Sequence, residues 1–328
     1  MEPLAGPSDV PVLSIVIINY ETPEYTLQCL RSLREHAPRC PHEIIVIDNG
    51  SRDSSLETIR AAFPDIALIE TGENAGFARA SNLGIHNSRG RYLLFLNSDT
   101  RILDAAIQKM VNILAETPSV GIVAPKQVDG EGKLQLSWGQ FPTLSSELVR
   151  KVLHHRLSLN DARIRDYLEE RYAGPSAVDW VSGSCFMIRR QALTEAGLFD
   201  RNFFMYFEDI DLCRRVKDRG WRIQYNAELG IVHYGGVSAR KNILKVLVEY
   251  RRSQIYFTRK YYGLSGVLVL KALLLFKYGT HFFKWGAAFA GARLLRLDDR
   301  SAYAKLLLTK KTVELVLGLR PEGIGVGD

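Results

Sequence analysis

Three carboxylates and one histidine in this sequence are of the types that move protons or bind divalent metals: Asp48, Asp99, Asp209 and His233. Carboxylates and imidazole perform much of the acid–base and metal chemistry of enzymes. Each also has a purely structural explanation. In the same order, these are a turn former, a helix N-cap, a charge at a helix N-terminus and a satisfied core histidine. The elements that precede these residues decide between the two interpretations.

Asp99 lies just beyond a predicted buried strand, the apolar run 92–96. Two similar units come earlier, Leu13–Asn19 and Glu43–Asp48, and each is an apolar run that closes on a polar residue. Open α/β sheets bind their ligands at the carboxyl ends of buried strands. Three polar strand ends of this kind therefore indicate a site at one sheet edge.

Strands alternate with helices along the first part of the chain. This alternation predicts βαβ units and a mostly parallel central sheet with flanking helices and right-handed connections. Thr22 and Pro23 are typical of an N-cap and a first helical position. The predicted strands are 13–19, 43–48, 67–70, 92–96, 120–124, 178–181, 185–188, 221–225 and 231–234. Helices are predicted to begin near residues 22 and 208. Another is predicted to end at residue 87, and further helical segments cover 103–115 and much of 143–172.

The length of 328 residues predicts one large domain with an appendage, and 46% apolar and 24% charged residues are ordinary for a globular protein. The four cysteines show no C-x-x-C spacing, so we expect free thiols in a reducing compartment. No signal peptide is expected at the N-terminus. The predicted organisation is a flexible leader at 1–11, a catalytic domain at 12–240 and a helical region at 241–328.

The net charge of +7 is unevenly distributed, because residues 240–328 hold 17 Lys/Arg against 6 Asp/Glu. Such a basic region favours an anionic partner surface. Residues 264–292 are strongly apolar but are interrupted by lysines, and the longest charge-free run there, 261–270, is shorter than the roughly 20 residues of a spanning helix. We expect amphipathic helices in the membrane interface. The alternative is a helical bundle packed on the main domain.

Several common sites are excluded by their missing motifs. The first strand is not followed by G-x-G-x-x-G, and the sequence has no P-loop, no G-x-S-x-G elbow and no paired His/Cys spacing for structural zinc. The basic tail would also suit a nucleic-acid-binding protein, but no reader motif accompanies it, so no nucleic-acid partner is expected.

Across residues 13–240 the sequence resembles the GT-A-fold glycosyltransferases of family 2, most closely the bacterial rhamnosyltransferase-like branch. The motifs occur in the expected order, and the region after residue 240 carries none. The resembling segments are 14–20, 45–51 with Asp53, 74–77 with 82–84, 94–99, 180–184, 206–213, and His233 with Gly236 and Ser238.

The resemblance implies a donor site for a nucleotide sugar. Asp99 and His233 would bind Mg²⁺ or Mn²⁺, which neutralises the leaving diphosphate. In this resemblance, Asp48 contacts the pyrimidine base, and Arg79 is either a cation for the diphosphate or a surface residue. Three further donor-side residues complete the set: Asn19 and Tyr20 beside the base, and Asn97 near the ribose.

The resemblance also implies the acceptor side. Asp209 would be the general base of an inverting reaction, and the neighbouring charge of Glu208 would raise the pKa of Asp209. Trp180 and Gly183 would face the acceptor or its sugar ring, although Trp180 also fits a core position. One departure stands out. The Asp-x-Asp of the family is Asn97-Ser98-Asp99 here, which removes one charge from the metal site.

The resemblance implies an inverting glycosyltransferase at the inner face of the cell membrane. It would transfer L-rhamnose from dTDP-rhamnose to a cell-surface glycan or a polyprenyl-linked acceptor. A UDP-hexose or UDP-galactofuranose donor is the alternative within this class. A noncatalytic GT-A-fold subunit of a polysaccharide synthase complex is the alternative outside it.

Overall fold

Four parallel strands supply the polar strand ends that the sequence predicted. In the computed structural model, which describes residues 10–237, 243–294 and 300–318, they lie in the order β3-β2-β1-β4. They are β1 (Leu13–Asn19), β2 (His42–Asp48), β3 (Ala67–Glu70) and β4 (Tyr92–Asn97). Asn19 pairs with Asp48, and Ile18 pairs with Asn97. The register therefore brings the three polar ends to the same edge.

The other half of the sheet is mixed. β11 (Cys185–Arg189) runs antiparallel to both β4 and β6 (Val120–Val128), and β12 (Arg222–His233) runs parallel to β6 and antiparallel to β5 (Thr100–Ile102). Two short strands, β7 (Leu134–Gln135) and β9 (Ser176–Ala177), extend this sheet, while β8 (Trp138–Gly139) pairs with β10 (Trp180–Val181). This is the predicted α/β architecture, a mostly parallel GT-A sheet.

One long strand replaces two predicted ones. The sequence suggested separate strands at 221–225 and 231–234, but β12 runs through both, with a register shift against β6 between Asn226 and Gly230. A bulge of this kind bends a strand without ending it. The residues between the two predicted strands therefore lie within β12.

Eight helices flank the sheet in the part of the first unit that the structure describes. Pro23 begins the first one as predicted, but the Thr22 hydroxyl does not cap it and instead donates to Asn19 Oδ1 at 3.2 Å. The helices are α1 (Pro23–Glu35), α2 (Ser55–Ala62), α3 (Phe77–His86), α4 (Ala106–Glu116), α5 (Leu144–Ser158), α6 (Ala162–Arg171), α7 (Arg190–Ala196) and α8 (Glu208–Asp218).

Both faces of β1 are buried, as its unbroken β-branched run predicts. Ile15 and Ile17 share a core cluster with Leu30 and other residues of α1. On the opposite face, α3 approaches so closely that a Cβ on Gly84 would lie 2.3 Å from Val16 Cγ1. Full burial of each such side chain contributes about 1.5–3 kcal/mol, so the strand ends project from a rigid centre.

The chain divides into two compact units, and the second comprises Phe203–Phe207 with Ala239–Asp328. Its helices are α9 (Ile243–Leu294), broken at Gly263, and α10 (Arg300–Leu317). The Ser253 hydroxyl donates to the Met205 carbonyl at 2.8 Å. The boundary predicted at 240/241 and most of the leader predicted at 1–11 lie outside the described residues.

Within the described residues, one stretch is long and apolar enough to cross a membrane by length and composition alone. It is Ile243–Ala290, which contains an 18-residue window of mean hydropathy 1.3 that is 22% buried. The lysines of residues 264–292 leave no charge-free run of spanning length, so the charge pattern predicts no spanning stretch here. An 18-residue window with up to two charged residues is nevertheless apolar enough.

Replacing Gly50 by alanine tests the turn after β2. Gly50 has φ +74°, and a Cβ there would lie 2.3 Å from the backbone carbon of Glu73. Gly72, at φ +78°, is the matched control, because it has nothing within 4 Å of a built Cβ. Each alanine pays roughly 1–2 kcal/mol for the left-handed backbone. Only Gly50→Ala adds the clash with Glu73. We therefore expect its free energy of unfolding, measured in urea, to fall by at least about 2 kcal/mol more than that of Gly72→Ala. Equal losses for the two variants would contradict the close approach.

Candidate active site

Asn19 and Asp48 are bonded to each other at the ends of β1 and β2. Asn19 Nδ2 donates to Asp48 Oδ1 at 2.7 Å, and the Thr26 hydroxyl donates to Asn19 Oδ1 at 2.7 Å. The Ser51 amide and hydroxyl also donate to Asp48, at 3.0 and 2.7 Å. Asp48 is 1% exposed. Its observed role is therefore to hold the turn after β2, and a base contact would use the remaining lone pairs of this carboxylate.

Tyr20 and Arg79 are more exposed to solvent than Asn19 and Asp48. Tyr20 follows β1 and is partly exposed, and Arg79 projects from α3 with an exposed side chain. Among the described residues, Arg79 forms no ion pair with a carboxylate, so its charge is available to an anion.

Asp99 and His233 meet although 134 positions separate them in the sequence. β5 pairs with β12, Thr100 opposite His233, and the Tyr234 amide donates to the Asp99 carbonyl at 2.9 Å. Asp99 Oδ1 lies 3.3 Å from His233 Nε2, and Asn97 Nδ2 lies 3.5 Å from the same nitrogen. These three side chains form one polar group, which we name the strand-end group.

Asp99 is held in its charged form. Burial alone would raise the pKa of Asp99, but the hydrogen bond and charge of His233, with the Val237 amide 3.4 Å from Oδ2, hold that pKa below its usual value. A carboxylate that stays ionised in a buried setting is a ready ligand for a cation.

Gln135, which sequence reasoning missed, orients the histidine. His233 Nδ1 lies 2.9 Å from Gln135 Oε1, and Gln135 Nε2 donates to the His233 carbonyl at 2.8 Å. Since the amide nitrogen faces the carbonyl, the amide oxygen faces Nδ1, and this network assigns the proton to Nδ1. When the imidazole is charged, Nε2 donates to Asp99, which is the arrangement that lowers the pKa of Asp99; when it is neutral, Nε2 has a lone pair free for a cation.

The strand-end group fits part of a divalent-cation site. Asp99 Oδ1 and His233 Nε2 face each other as an oxygen and a nitrogen donor, and a cation or a proton between them removes the repulsion of their lone pairs. Across the described residues, no three His, Cys, Asp or Glu side chains cluster as a metal site. Mg²⁺ and Mn²⁺ suit such sparse sites, because phosphate oxygens and water complete their coordination. Asn97 contributes an amide in place of a second carboxylate.

Asp209 is fixed near the start of α8. Its Oδ2 accepts from the Gly183 amide at 2.8 Å, and its Oδ1 accepts from the Ile210 amide at 2.8 Å. Burial raises the pKa of Asp209, while these two amides and the charge of Arg150 oppose that rise. The predicted upward shift in pKa is present, but its main cause is burial.

The pKa of Glu208 is raised more than that of its neighbour Asp209. It is 5% exposed, and its Oε2 has no hydrogen-bond partner among the described residues. Burial raises the pKa of Glu208 well above its usual value, and the charge of Asp209 raises it further. Like-charge repulsion acts on both carboxyl groups, and the one whose Oε2 has no hydrogen-bond partner gains most from staying neutral, which favours a neutral Glu208 beside an ionised Asp209.

Trp180 is buried at 3% exposure, and its Nε1 donates to the Gln140 carbonyl at 2.8 Å. The Arg150 guanidinium lies over the indole ring, 5.1 Å from its centroid. A sugar ring could stack on that face of Trp180 only after Arg150 had moved. Nothing in the sequence distinguished Arg150 from the other basic residues of α5.

Backbone contacts connect these groups along one edge. The Asn97 amide donates to the Ser184 carbonyl at 2.9 Å, which places the strand-end group beside the segment that binds Asp209. The Thr22 and Ser98 hydroxyls lie 3.1 Å apart and connect that group to the end of β1. Hydrogen bonds and strand pairing thus place six of the predicted residues along one sheet edge: Asn19, Asp48, Asn97, Asp99, His233 and Asp209. Among the described residues, no hydrogen bond or ion pair joins Arg79 or Trp180 to them.

Known proteins are similar to this chain in sequence and in fold. Residues 14–197 match the model of Glycosyl transferase family 2. The N-acetylglucosaminyl-diphospho-decaprenol L-rhamnosyltransferase of Mycobacterium tuberculosis is 26% identical over 257 residues, covering 75% of this chain and 83% of that protein. The rhamnosyltransferase WbbL of Escherichia coli is 26% identical over 259 residues, covering 75% and 92%.

A solved structure supports the same fold. The mannosyltransferase PcManGT from Pyrobaculum calidifontis, in complex with GDP-Man and Mn²⁺, superposes with a TM-score of 0.51 at 18% identity, over 95% of this chain and 85% of that one. The family model spans more than half of the sequence. The polar strand ends of this chain meet at one edge of a GT-A sheet. The chain therefore belongs to glycosyl transferase family 2 and is rhamnosyltransferase-like.

Proposed function

We propose that this chain is an inverting glycosyltransferase that moves L-rhamnose from dTDP-rhamnose to a lipid-linked glycan acceptor. The observation that carries the proposal is the placement of Asp209, fixed by the Gly183 amide, beside the strand-end group on one sheet edge. The rhamnosyltransferase relatives support the choice of sugar and of a lipid-linked acceptor. A UDP-hexose or UDP-galactofuranose donor remains the alternative.

The strand-end group is proposed to face the donor diphosphate. Asp99 and His233 would hold Mg²⁺ or Mn²⁺, which when bound offsets the negative charge that builds up on the leaving diphosphate. Asn97 is proposed to contact the ribose and Arg79 the diphosphate. Asn19, Tyr20 and Asp48 are proposed to flank the base.

Asp209 is proposed as the general base. The acceptor hydroxyl attacks the anomeric carbon from the face opposite the diphosphate. A new carbon–oxygen bond forms, the bond to the phosphate oxygen breaks, and the hydroxyl proton passes to Asp209. Gly183 would keep Asp209 in position, and Glu208, neutral, would add no second charge.

We propose residues 12–240 as the catalytic domain and 241–328 as a region that attaches it to the cytoplasmic face of the membrane. The excess of 17 Lys/Arg over 6 Asp/Glu in residues 240–328 supports attraction to anionic lipid. The product would then serve cell-wall or surface polysaccharide synthesis. No nucleic-acid partner is proposed.

Replacing Asp209 by asparagine tests the general base. We expect kcat to fall by about 10²–10⁴-fold, because the acceptor proton loses its destination, while the KM for dTDP-rhamnose stays the same. Initial rates with a panel of nucleotide sugars measure both values. Asp218→Asn, at an exposed position on the same helix, is the matched control. A noncatalytic subunit would bind donor but transfer no sugar even in the parent protein.

Gln135→Leu tests the orientation of His233. Losing the partner of Nδ1 should weaken Mn²⁺ affinity in the presence of dTDP by about 10–100-fold, as removal of outer partners of metal ligands typically does. The rise in Tm produced by Mn²⁺ with dTDP gives a readout independent of turnover. Asp99→Asn should abolish that rise. An unchanged Mn²⁺ response in both variants would remove the strand-end group from the metal site.

Glu208→Gln tests whether Glu208 is kept neutral. Its pKa is raised in the folded state, so the folded protein loses stability as pH rises above the unfolded glutamate pKa of about 4.3. Glutamine avoids this loss. The variant should therefore have the higher Tm at pH 7, by a few degrees at roughly 2–4 °C per kcal/mol, and the difference should vanish near pH 4.5. Equal Tm values at both pH values would show that Glu208 is not destabilised by ionisation.

A further inference from the structure

Arg150 carries a positive charge that no salt bridge matches among the described residues. Its guanidinium lies over Trp180, and it is near enough to Asp209 for its charge to lower the pKa of that carboxyl. Among the described residues, no carboxylate lies within ion-pair distance of Arg150. The buried Nε of this side chain also lacks a hydrogen-bond partner in that part of the chain.

A buried donor on a charged group costs free energy when it is left unpaired. Trp180 supports the flat guanidinium face but offers it no hydrogen-bond acceptor, since the indole nitrogen is a donor that already binds the Gln140 carbonyl. Planar guanidinium groups bind phosphate oxygens through paired N–H donors. The position of Arg150 is therefore one that an anionic phosphate ester would complete.

We propose that Arg150 binds a phosphate of the lipid-linked acceptor. This inference rests on the proposed function, because it assumes that Asp209 receives the acceptor hydroxyl. Trp180, which lies under Arg150, is three residues before Gly183, whose amide binds Asp209, and this short connection brings the two ends of the acceptor site together.

Two acceptors separate the phosphate from the rest of the substrate. One is N-acetylglucosaminyl-diphospho-undecanol, and the other is undecyl N-acetylglucosaminide, which lacks both phosphates. Arg150→Gln should raise the KM of the diphosphate acceptor by about 10–100-fold, the value of a charged hydrogen bond, and leave the neutral acceptor and the donor KM nearly unchanged. Arg150→Lys should recover part of the loss. Lys151→Gln, at the next and exposed position, is the matched control and should change neither KM.

Equal losses with both acceptors, or no loss with either, would overturn the proposal. A binding measurement keeps this test separate from the proposed transfer reaction. With dTDP saturating the donor site, the parent protein should bind undecyl diphosphate at least 10-fold more tightly than Arg150→Gln does. If the parent protein and Arg150→Gln bind it equally, the proposal fails whatever sugar the enzyme transfers. If Arg150→Gln instead loses binding to phosphatidylglycerol vesicles with no change in acceptor KM, Arg150 contacts the membrane surface and the proposal also fails.

Discussion

The candidate site depends on one backbone hydrogen bond, from the Asn97 amide to the Ser184 carbonyl. It joins the end of β4, two residues before Asp99, to the segment whose Gly183 amide binds Asp209. β11 runs antiparallel to β4, so the residues just before β11 lie beside the residues at the end of β4. The donor and acceptor halves of the proposed reaction thus adjoin because two strands of opposite direction meet at the same edge.

The buried carboxyl groups at this edge have pKa values shifted in opposite directions, and their hydrogen-bond partners and neighbouring charges determine the direction. The pKa of Asp99 is lowered because His233 and the Val237 amide outweigh its burial. The pKa of Glu208 is raised because its Oε2 has no partner among the described residues and Asp209 adds a like charge. Asp209 lies between these cases, with two backbone amides opposing the effect of burial. One edge therefore holds three carboxyl groups in different electrostatic settings, which suit the proposed roles of Asp99 as a ligand and Asp209 as a base.

The sequence predicted the elements whose signal is local and strong. The runs at β1, β2 and β4 are apolar enough to be assigned without tertiary information, and the polar residues that end them located the site. β5, β7 and β8 have only two or three residues, and pairing with distant strands creates them. Gln135 lies on β7, and Arg150 on a helix rich in basic residues, so neither could be singled out. Thr22 likewise follows a typical N-cap pattern, but its hydroxyl bonds to Asn19, which local preference does not reveal.

The amide at position 97 changes what the rest of the strand-end group must do. With Asn97 in place of a carboxylate, Asp99 supplies the one negative charge of that group, and in the proposed metal site the second donor would be His233. An imidazole binds a metal through a nitrogen that carries no proton, so in that site Nε2 would have to be the bare nitrogen. Gln135 provides this by accepting from Nδ1, and its own amide nitrogen is held by the His233 carbonyl. In the proposed site, Gln135 would therefore offset the missing carboxylate by orienting His233, without adding charge.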